Sequence, residues 1–257
     1  MRVENSFLGA DGIGETIERR LWRQGVTHWA EFDDDCEGVG PTRADRIESF
    51  IEHGRRAVDA GDVSYFEAAF PSGARWRLYE SFREQACFFD IETTGLDHRT
   101  SVVTTVSLHR DGRTRTLVRG DDLTAESLRA AFADAGLLVT FNGARFDIPF
   151  LEHCFDLELD HPHIDLMPTC RQIGLSGGLS EIETELGIDR ELPDVDGREA
   201  VRLWHEHERG VDGALERLIE YNREDTENMV PVLERAVDAL DRQVVPDDSS
   251  LTRRKFY

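Results

Sequence analysis

Lysine is almost missing from this sequence. Lys255 is the only one, although the chain carries 30 basic residues against 52 acidic residues and a formal net charge of −22. Such a charge repels other polyanions at ordinary ionic strength. At about 1 M salt, however, the Debye length falls to about 3 Å and this repulsion is screened. The shortage of lysine beside the excess of carboxylates therefore favours a halophilic protein over an acidic mesophilic one.

Long apolar runs are missing as well. No stretch approaches the roughly 20 residues that a membrane-spanning helix needs. The segment 1–14 has neither the basic nor the apolar region of a signal peptide. We therefore expect a soluble, cytoplasmic protein with no membrane partner. Hydrophobic residues make up 39% of the chain, which is enough for one α/β domain and a smaller companion.

Cysteine is scarce, and its spacing excludes the common cysteine-based frameworks. The four cysteines lie far apart without a Cys-x-x-Cys pair, which predicts reduced thiols rather than disulfides. Cys154, His161, His163 and Cys170 could nominally supply four zinc ligands, but they are not spaced like a zinc finger or knuckle. Ordinary core cysteines and loop histidines are favoured.

The first 80 residues contain two similar units. Gly12-Ile13-Gly14 leads into a predicted helix from Glu15 to Gln24, and Gly38-Val39-Gly40 leads into one from Thr42 to Ala60. A Gly-hydrophobic-Gly turn followed by a helix resembles the helix-hairpin-helix motif, whose backbone amides contact a nucleic-acid phosphate. By that resemblance the phosphate contacts would lie at Gly12, Gly14, Gly38 and Gly40. The alternative is two ordinary tight turns that need glycine.

From Gln85 onward the pattern changes to alternating strands and helices, which predicts an α/β domain with a mixed sheet flanked by helices and preceded by a small all-α domain. Strands are expected at Cys87–Ile91, Val102–Leu108, Thr114–Val118, Leu137–Phe141 and His163–Leu166. Helices are expected at Leu123–Ala135, from Pro149, and from Asp212 to about Leu240, where Pro231 should kink or interrupt the last one. The segment 244–257 is predicted to be a disordered tail.

Two acidic residues stand at the end of the first apolar strand. Asp90 and Glu92 flank Ile91, so on a strand their side chains point to the same face, about 7 Å apart along the chain. Such strand ends are where α/β proteins place their sites. Two carboxylates held together repel each other, and a bound cation relieves that repulsion. The alternative is a polar strand end that faces solvent.

A third carboxylate follows another buried strand. Leu137–Phe141 ends at an Asn142-Gly143 turn, and Asp147 stands near the start of the next helix. Asp147 fits an N-cap and a ligand about equally well. An N-cap, however, does not require the Asn-Gly turn.

The last predicted helix contributes a tyrosine and an aspartate. Tyr221 and Asp225 are four residues apart, so they share a helix face. They continue the apolar stripe of Leu218 and Met229, which places an aspartate on the inward face. That position is costly unless the carboxylate is paired or binds a cation. The solvated face is expected to contain Glu220, Glu224 and Glu227.

Three motifs together make a specific pattern. Phe-Asp-Ile-Glu-Thr-Thr-Gly-Leu, Asn-Gly-x-x-Phe-Asp and Tyr-x-x-x-Asp, in this order and spacing, resemble the DEDD exonuclease superfamily. The Tyr-x-x-x-Asp form marks the DEDDy branch, and the likeness is to YprB-type ribonuclease H-like domains over roughly Phe82 to Leu240. The resemblance implies a helix-hairpin-helix-like region over 1–80 and a ribonuclease H-like exonuclease domain over 82–243.

The resemblance also implies an activity. The protein would be a metal-dependent 3′–5′ exonuclease, a phosphodiester hydrolase with two Mg²⁺ or Mn²⁺ ions and a single-stranded 3′ end of DNA or RNA as substrate. Asp90 would bridge both ions, and Glu92 and Asp225 would complete the nucleophile-side site. Asp147 would support the second ion, and Tyr221 would orient the attacking water.

Some assignments have competing interpretations. Asn142 and Arg145 are candidate nucleic-acid contacts, but a surface arginine is equally ordinary. Asp165 is interpreted either as a support of the site or as a strand-end cap. A different class of function also fits: a non-catalytic nucleic-acid-binding adaptor with a vestigial ribonuclease H-like domain. The choice between DNA and RNA and the identity of any protein partner stay open.

Overall fold

The computed structural model describes residues 1–245, which divide into two compact units. The first unit comprises Met1–Arg83 and the described residues from Ala236 to Val245, and the second comprises Glu84–Arg235. Residues 246–257 of the tail that was predicted to be disordered lie outside the described residues. No helix within residues 1–245 has the length and apolar character that crossing a bilayer requires.

The first unit is helical, as predicted. Its helices are α1 (Glu15–Arg23), α2 (Pro41–Ala60), α3 (Val63–Ala69) and α4 (Leu78–Phe82), with short 3-10 turns between them. The two Gly-x-Gly turns have the same local form. Gly12 and Gly38 take left-handed φ angles of +76° and +81°. Gly14 and Gly40 are the extended N-cap residues of α1 and α2. Left-handed backbone explains why glycine recurs at the first position of each turn.

A buried ion pair lies in the first unit. Arg77 Nη1 donates to Glu18 Oε2 at 2.8 Å, and the two side chains are 2% and 1% exposed. The same carboxylate accepts hydrogen bonds from the Ser6 hydroxyl at 2.7 Å and the Phe7 N–H at 2.8 Å. The Arg77 guanidinium also lies 5.7 Å from the ring centroid of Trp22. A buried pair of this kind depends on having all of its partners, because removal of one leaves an uncompensated charge.

The second unit is built on a five-stranded mixed sheet of order β3-β2-β1-β4-β5. The strands are β1 (Ala86–Thr93), β2 (Val103–Arg110), β3 (Arg113–Val118), β4 (Leu137–Thr140) and β5 (His163–Asp165). β1, β2 and β3 are antiparallel neighbours, whereas β1–β4 and β4–β5 are parallel. β1 is therefore the central strand, and the predicted strands and their mixed sheet are confirmed.

Helices flank this sheet. They are α5 (Ala125–Phe132), α6 (Asp147–Phe155), α7 (Leu166–Arg171), α8 (Leu179–Leu186), α9 (Gly197–Glu208) and α10 (Ala214–Val244). One hydrophobic cluster packs Phe89 and Leu138 of the sheet against Phe132 and Phe150 of the helices. Pro231 does not interrupt the last helix, because α10 continues from Ala214 to Val244 with the proline inside it. Buried neighbours on both sides of the proline, Met229 and Val232 among them, hold this stretch by packing.

Candidate metal centre

Asp90 and Glu92 lie on the central strand, on one face of the sheet, as their spacing predicts. Asp225 reaches the same place from α10. Oxygen atoms of Asp90, Glu92 and Asp225 all lie within 4.8 Å of one another, in an arrangement that could hold a metal ion. Residues that are distant in sequence thus form one carboxylate cluster, which we call the acidic triad.

Asp147 is buried beside the triad but is not one of its members. It is 3% exposed and is the first residue of α6, whose N-cap is Phe146, so the N-cap interpretation of Asp147 is wrong. Its carboxylate accepts a hydrogen bond from the backbone N–H of Ile91, which lies between Asp90 and Glu92. Asp147 is also close enough to raise the pKa values of Asp90 and Glu92.

Tyr221 and Asp225 share one face of α10, as predicted. Tyr221 is 7% exposed, and its hydroxyl donates a hydrogen bond to the Asp225 carboxylate. Its ring packs in a second apolar cluster with Val118 and Trp204. The prediction that Glu220, Glu224 and Glu227 form a solvated face of the helix is only partly confirmed. Glu220 is exposed, whereas Glu224 accepts the N–H of Leu192 at 3.1 Å and Glu227 accepts the hydroxyl of Thr114.

A buried hydrogen-bond chain orients Asp90. The Asn222 amide donates from Nδ2 to Asp90 Oδ2 at 2.7 Å, and the Thr105 hydroxyl of β2 donates to Asn222 Oδ1 at 3.0 Å. Thr105 and Asn222 are fully buried. The amide of Asn222 thus accepts from Thr105 through its carbonyl oxygen and donates to Asp90 through its N–H. Sequence reasoning missed Asn222, although it shares a helix face with Asp225 three residues on.

Arg190 is the second residue that sequence reasoning missed. It lies in the loop between α8 and α9, and its guanidinium hydrogen-bonds both Asp225 and Glu183, the latter at 2.7 Å. The same guanidinium lies 5.6 Å from the ring centroid of Tyr221. A loop arginine 35 positions before its partner has no periodic signal in the sequence that could have revealed it.

The turn before Asp147 has its own supports. Asp165 caps α7 through the Met167 N–H at 3.0 Å and also accepts the Asn142 N–H at 2.8 Å. Its role as a cap is therefore correct, and it holds the turn as well. Asn142 takes a left-handed φ of +64°. A Cβ at Gly143 would lie 2.2 Å from Thr140 Oγ1, so only glycine fits there. Arg145 of this turn is exposed.

Burial and mutual repulsion set the charges of the site. Asp90 and Glu92 have pKa values well above their usual range, because desolvation and then the neighbouring carboxylates penalise the ionised forms. Desolvation also raises the pKa of Asp147 to about 7. It raises the pKa of Asp225 as well, although the Arg190 charge opposes this shift. The pKa of Tyr221 is raised by burial and by the triad, so its hydroxyl stays protonated.

These residues fit a hard divalent cation. The donors are carboxylate oxygens, which suit Mg²⁺ or Mn²⁺ better than zinc. A cation would relieve the repulsion that raises the pKa values. The other such cluster within residues 1–245 is exposed and consists of Asp33, Asp34 and Asp35. The set of Cys154, His161, His163 and Cys170 does not form one in that part of the chain.

Comparison with known proteins identifies the family. A model of the RNase H superfamily matches residues 87–237, and the chain therefore belongs to that superfamily. The fold is ribonuclease H-like, as predicted. A search of curated proteins gave no significant match.

Solved structures with low sequence identity are similar to this chain. A protein described as the apo form of the nuclease has 23% identity and a TM-score of 0.47, over 62% of this chain and 75% of its own. The family B DNA polymerase of Pyrobaculum calidifontis has 14% identity and a TM-score of 0.47, over 63% of this chain and 27% of its own. The catalytic core of RRP6 from Trypanosoma brucei has 13% identity and a TM-score of 0.44, over 71% of this chain and 47% of its own.

Proposed function

We propose that this protein is a 3′–5′ exonuclease that hydrolyses phosphodiester bonds in DNA or RNA with two Mg²⁺ or Mn²⁺ ions. The observation that carries the proposal is the acidic triad of Asp90, Glu92 and Asp225. Its carboxylate oxygens lie within 4.8 Å of one another, where α10 meets the central strand of a ribonuclease H-like sheet. The second unit, expected as domain 82–243, would contain the chemistry. The helical region 1–80 would contact the strand.

Each site residue has a proposed task. Asp90, Glu92 and Asp225 would hold the metal ions, with Asp147 supporting them from its buried position beside Ile91. Bound ions would activate the attacking water and stabilise the leaving 3′-oxygen. Tyr221, whose raised pKa keeps the hydroxyl protonated, would orient that water by hydrogen bonding and would not remove its proton.

The adaptor hypothesis is less well supported. A vestigial site would have lost at least one of its carboxylates, whereas Asp90, Glu92, Asp147 and Asp225 are all present and near one another. A triad this crowded also costs stability without a cation, which favours a role that uses one.

The activity can be tested directly. The full chain would be incubated with 5′-labelled single-stranded DNA and RNA and Mn²⁺ or Mg²⁺, from about 0.1 M to about 2 M KCl. We expect products that shorten progressively from the 3′ end. If the protein works in a salt-rich medium, the activity will persist at the upper end of this range. Strand binding without degradation at any salt concentration would instead favour the adaptor.

Asn222 provides a prediction about positioning. Asn222→Ala removes the amide that orients Asp90, and we expect a loss of metal affinity or activity of about 10- to 100-fold. Thr105→Val removes only the hydroxyl that donates to this amide, so its effect should be smaller. Rates at saturating Mn²⁺ and Mn²⁺ affinity by calorimetry would be measured for both variants. Equal activity of wild type and Asn222→Ala would contradict the positioning role.

The raised pKa values predict a pH dependence. Protons compete with the metal for the carboxylates, so Mn²⁺ affinity should tighten as pH rises, and the part of this change that comes from Asp147 should be complete above its pKa of about 7. The stability of the metal-free protein should move in the opposite direction. Folded Asp147 binds a proton more tightly than unfolded Asp147, so stability is lost as pH rises from about 4 to about 7.

Asp147→Asn is the control for this pH profile, because it removes one of the raised pKa values. Calorimetric Mn²⁺ titrations and thermal unfolding would be followed over the same pH series. A wild-type pH profile that is the same as that of Asp147→Asn would refute the assignment of this group.

The two Gly-x-Gly turns are proposed to bind phosphate. Beside the left-handed glycine of each turn lies an arginine from the helix that follows the other turn. A Cβ at Gly38 would lie 2.1 Å from Nη1 of Arg20 on α1, and a Cβ at Gly12 would lie 2.9 Å from Nη1 of Arg46 on α2. These arginines would supply the charge that the missing lysines do not. We expect Arg20→Glu with Arg46→Glu to weaken binding of a long single strand and leave hydrolysis of a dinucleotide unchanged. Unchanged long-strand binding would refute phosphate contact at these turns.

A further inference from the structure

Arg190 is a buried cation in direct contact with the acidic triad. Its side chain is 9% exposed, and the guanidinium hydrogen-bonds Asp225 through Nη2 and Glu183 through Nη1, the latter at 2.7 Å. Glu183 on α8 is fully buried. The guanidinium is thus hydrogen-bonded to two carboxylates, Asp225 of the triad and Glu183 outside it, and Glu224 Oε2 lies 3.8 Å from its Nε.

The loop that carries Arg190 is fixed to α10. Glu224 accepts hydrogen bonds from the backbone N–H groups of Glu191 and Leu192, the residues that follow Arg190. The guanidinium also lies 5.6 Å from the Tyr221 ring centroid, within the range of a cation–π contact. Arg190 therefore contacts both site residues of the Tyr-x-x-x-Asp motif and has little freedom to leave.

Charge decides what such an arginine does. A guanidinium stays protonated in proteins and has no lone pair to offer, so it can neither ligate a metal nor act as a base. Beside Asp225 it neutralises part of the repulsion within the metal-free triad. The same charge disfavours a divalent cation at Asp225, because both cations are attracted to one carboxylate.

We propose that Arg190 is a positioning residue and built-in counter-cation, which holds Asp225 and Tyr221 in place without metal and competes with the divalent cation for Asp225. Glu183 is the second partner that retains the guanidinium when Asp225 turns to the metal. The inference rests on the proposed function, since it requires that the triad bind a divalent cation. It adds that metal affinity is set by an arginine outside the three sequence motifs.

Opposite substitutions should change the metal affinity in opposite directions. Arg190→Gln removes the charge that repels the divalent cation and is expected to tighten Mn²⁺ binding by about tenfold. Glu183→Gln removes the fully buried partner, leaves the guanidinium with Asp225 and with Glu224 at 3.8 Å, and is expected to weaken binding. Arg190→Lys keeps the charge and should stay within about threefold of wild type. Arg202→Gln, an exposed arginine on α9, controls for the change in net charge.

Calorimetric titration of the full chain with MnCl₂ at fixed salt and pH provides the main measurement. Thermal unfolding of the metal-free protein provides the second measurement. The Arg190→Gln substitution should lower the stability of the wild-type protein by more than it lowers that of the Asp225→Asn variant. The inference is overturned if Arg190→Gln binds Mn²⁺ as tightly as wild type or more weakly. If wild type also binds Mn²⁺ and Asp225→Asn does not, the proposed function still holds.

Failure of the proposed function gives a different pattern: wild type and Asp225→Asn would both bind no Mn²⁺. If Arg190→Gln does not fold, the direction of the Glu183→Gln change decides instead. Weaker binding supports the competition, and tighter or equal binding overturns it.

Discussion

Asp90→Asn is expected to lower the rate of metal-dependent strand hydrolysis by at least about a thousandfold, which corresponds to roughly 4 kcal/mol of transition-state stabilisation. Asp90 lies on the central strand, its carboxylate oxygen is within 4.8 Å of those of Glu92 and Asp225, and Asn222 donates a hydrogen bond to it. An asparagine keeps the size and one acceptor oxygen but removes the charge that attracts the cation. Initial rates on a 5′-labelled single strand, at saturating Mn²⁺, would measure the loss.

Two companion measurements separate loss of the metal from loss of the fold. Asp34→Asn changes the same charge in the exposed cluster and should leave the rate unchanged. Metal-free Asp90→Asn should be more stable than wild type at neutral pH, because the pKa of Asp90 shows that its ionised form is disfavoured by burial and by its neighbours. An inactive Asp90→Asn that also unfolds more easily would point to a structural role for this carboxylate.

Glu18→Gln is expected to destabilise the first unit by about 3–5 kcal/mol, because it leaves the Arg77 charge buried without its counter-ion. The glutamine would still accept from Ser6 and Phe7 through its carbonyl oxygen, so the lost charge is the main change. Denaturant unfolding followed by tryptophan fluorescence would detect it, since Trp22 and Trp29 are buried in this unit.

A matched control lies on the same helix. Glu15 pairs with Arg19 at 3.2 Å, but the side chains are 64% and 41% exposed. Solvent screens such a pair, and Glu15→Gln should cost no more than about 1 kcal/mol. If Glu18→Gln does not fold, Glu18→Gln combined with Arg77→Met removes both charges and should recover part of the stability. Equal costs for Glu18→Gln and Glu15→Gln would contradict the expected effect of burial.

Local patterns predicted much of the fold. The strands expected at Cys87–Ile91, Val102–Leu108, Thr114–Val118 and Leu137–Phe141 match β1, β2, β3 and β4 to within a few residues. Helical spacing also predicted that Tyr221 and Asp225 share a face. These features depend on neighbours within one strand, turn or helix, and such neighbours are visible in sequence.

Contacts between distant segments were not predictable in the same way. The chain from Thr105 through Asn222 to Asp90 joins three separate elements, and no local spacing encodes it. The pairing of Arg190 with Asp225 and Glu183 arises only when a loop packs against α10. Glu224 was expected in solvent because helical periodicity does not show that a loop will cover it.

Tertiary packing also overrode one local rule. Pro231 predicts a kink or an end of the last helix, since proline lacks the N–H of one backbone hydrogen bond. The helix nevertheless runs on to Val244. Met229, Val232 and Leu233 are fully buried around the proline, and their burial compensates for one missing hydrogen bond.

Anomalous diffraction at the manganese edge, from crystals of the wild-type protein soaked in MnCl₂, would show whether the acidic triad binds a divalent cation. We expect strong anomalous density in contact with the carboxylates of Asp90, Glu92 and Asp225, and none in crystals of Asp90→Asn. Density at Asp33, Asp34 and Asp35 alone, or none beside Asp90 at saturating Mn²⁺, would contradict this expectation.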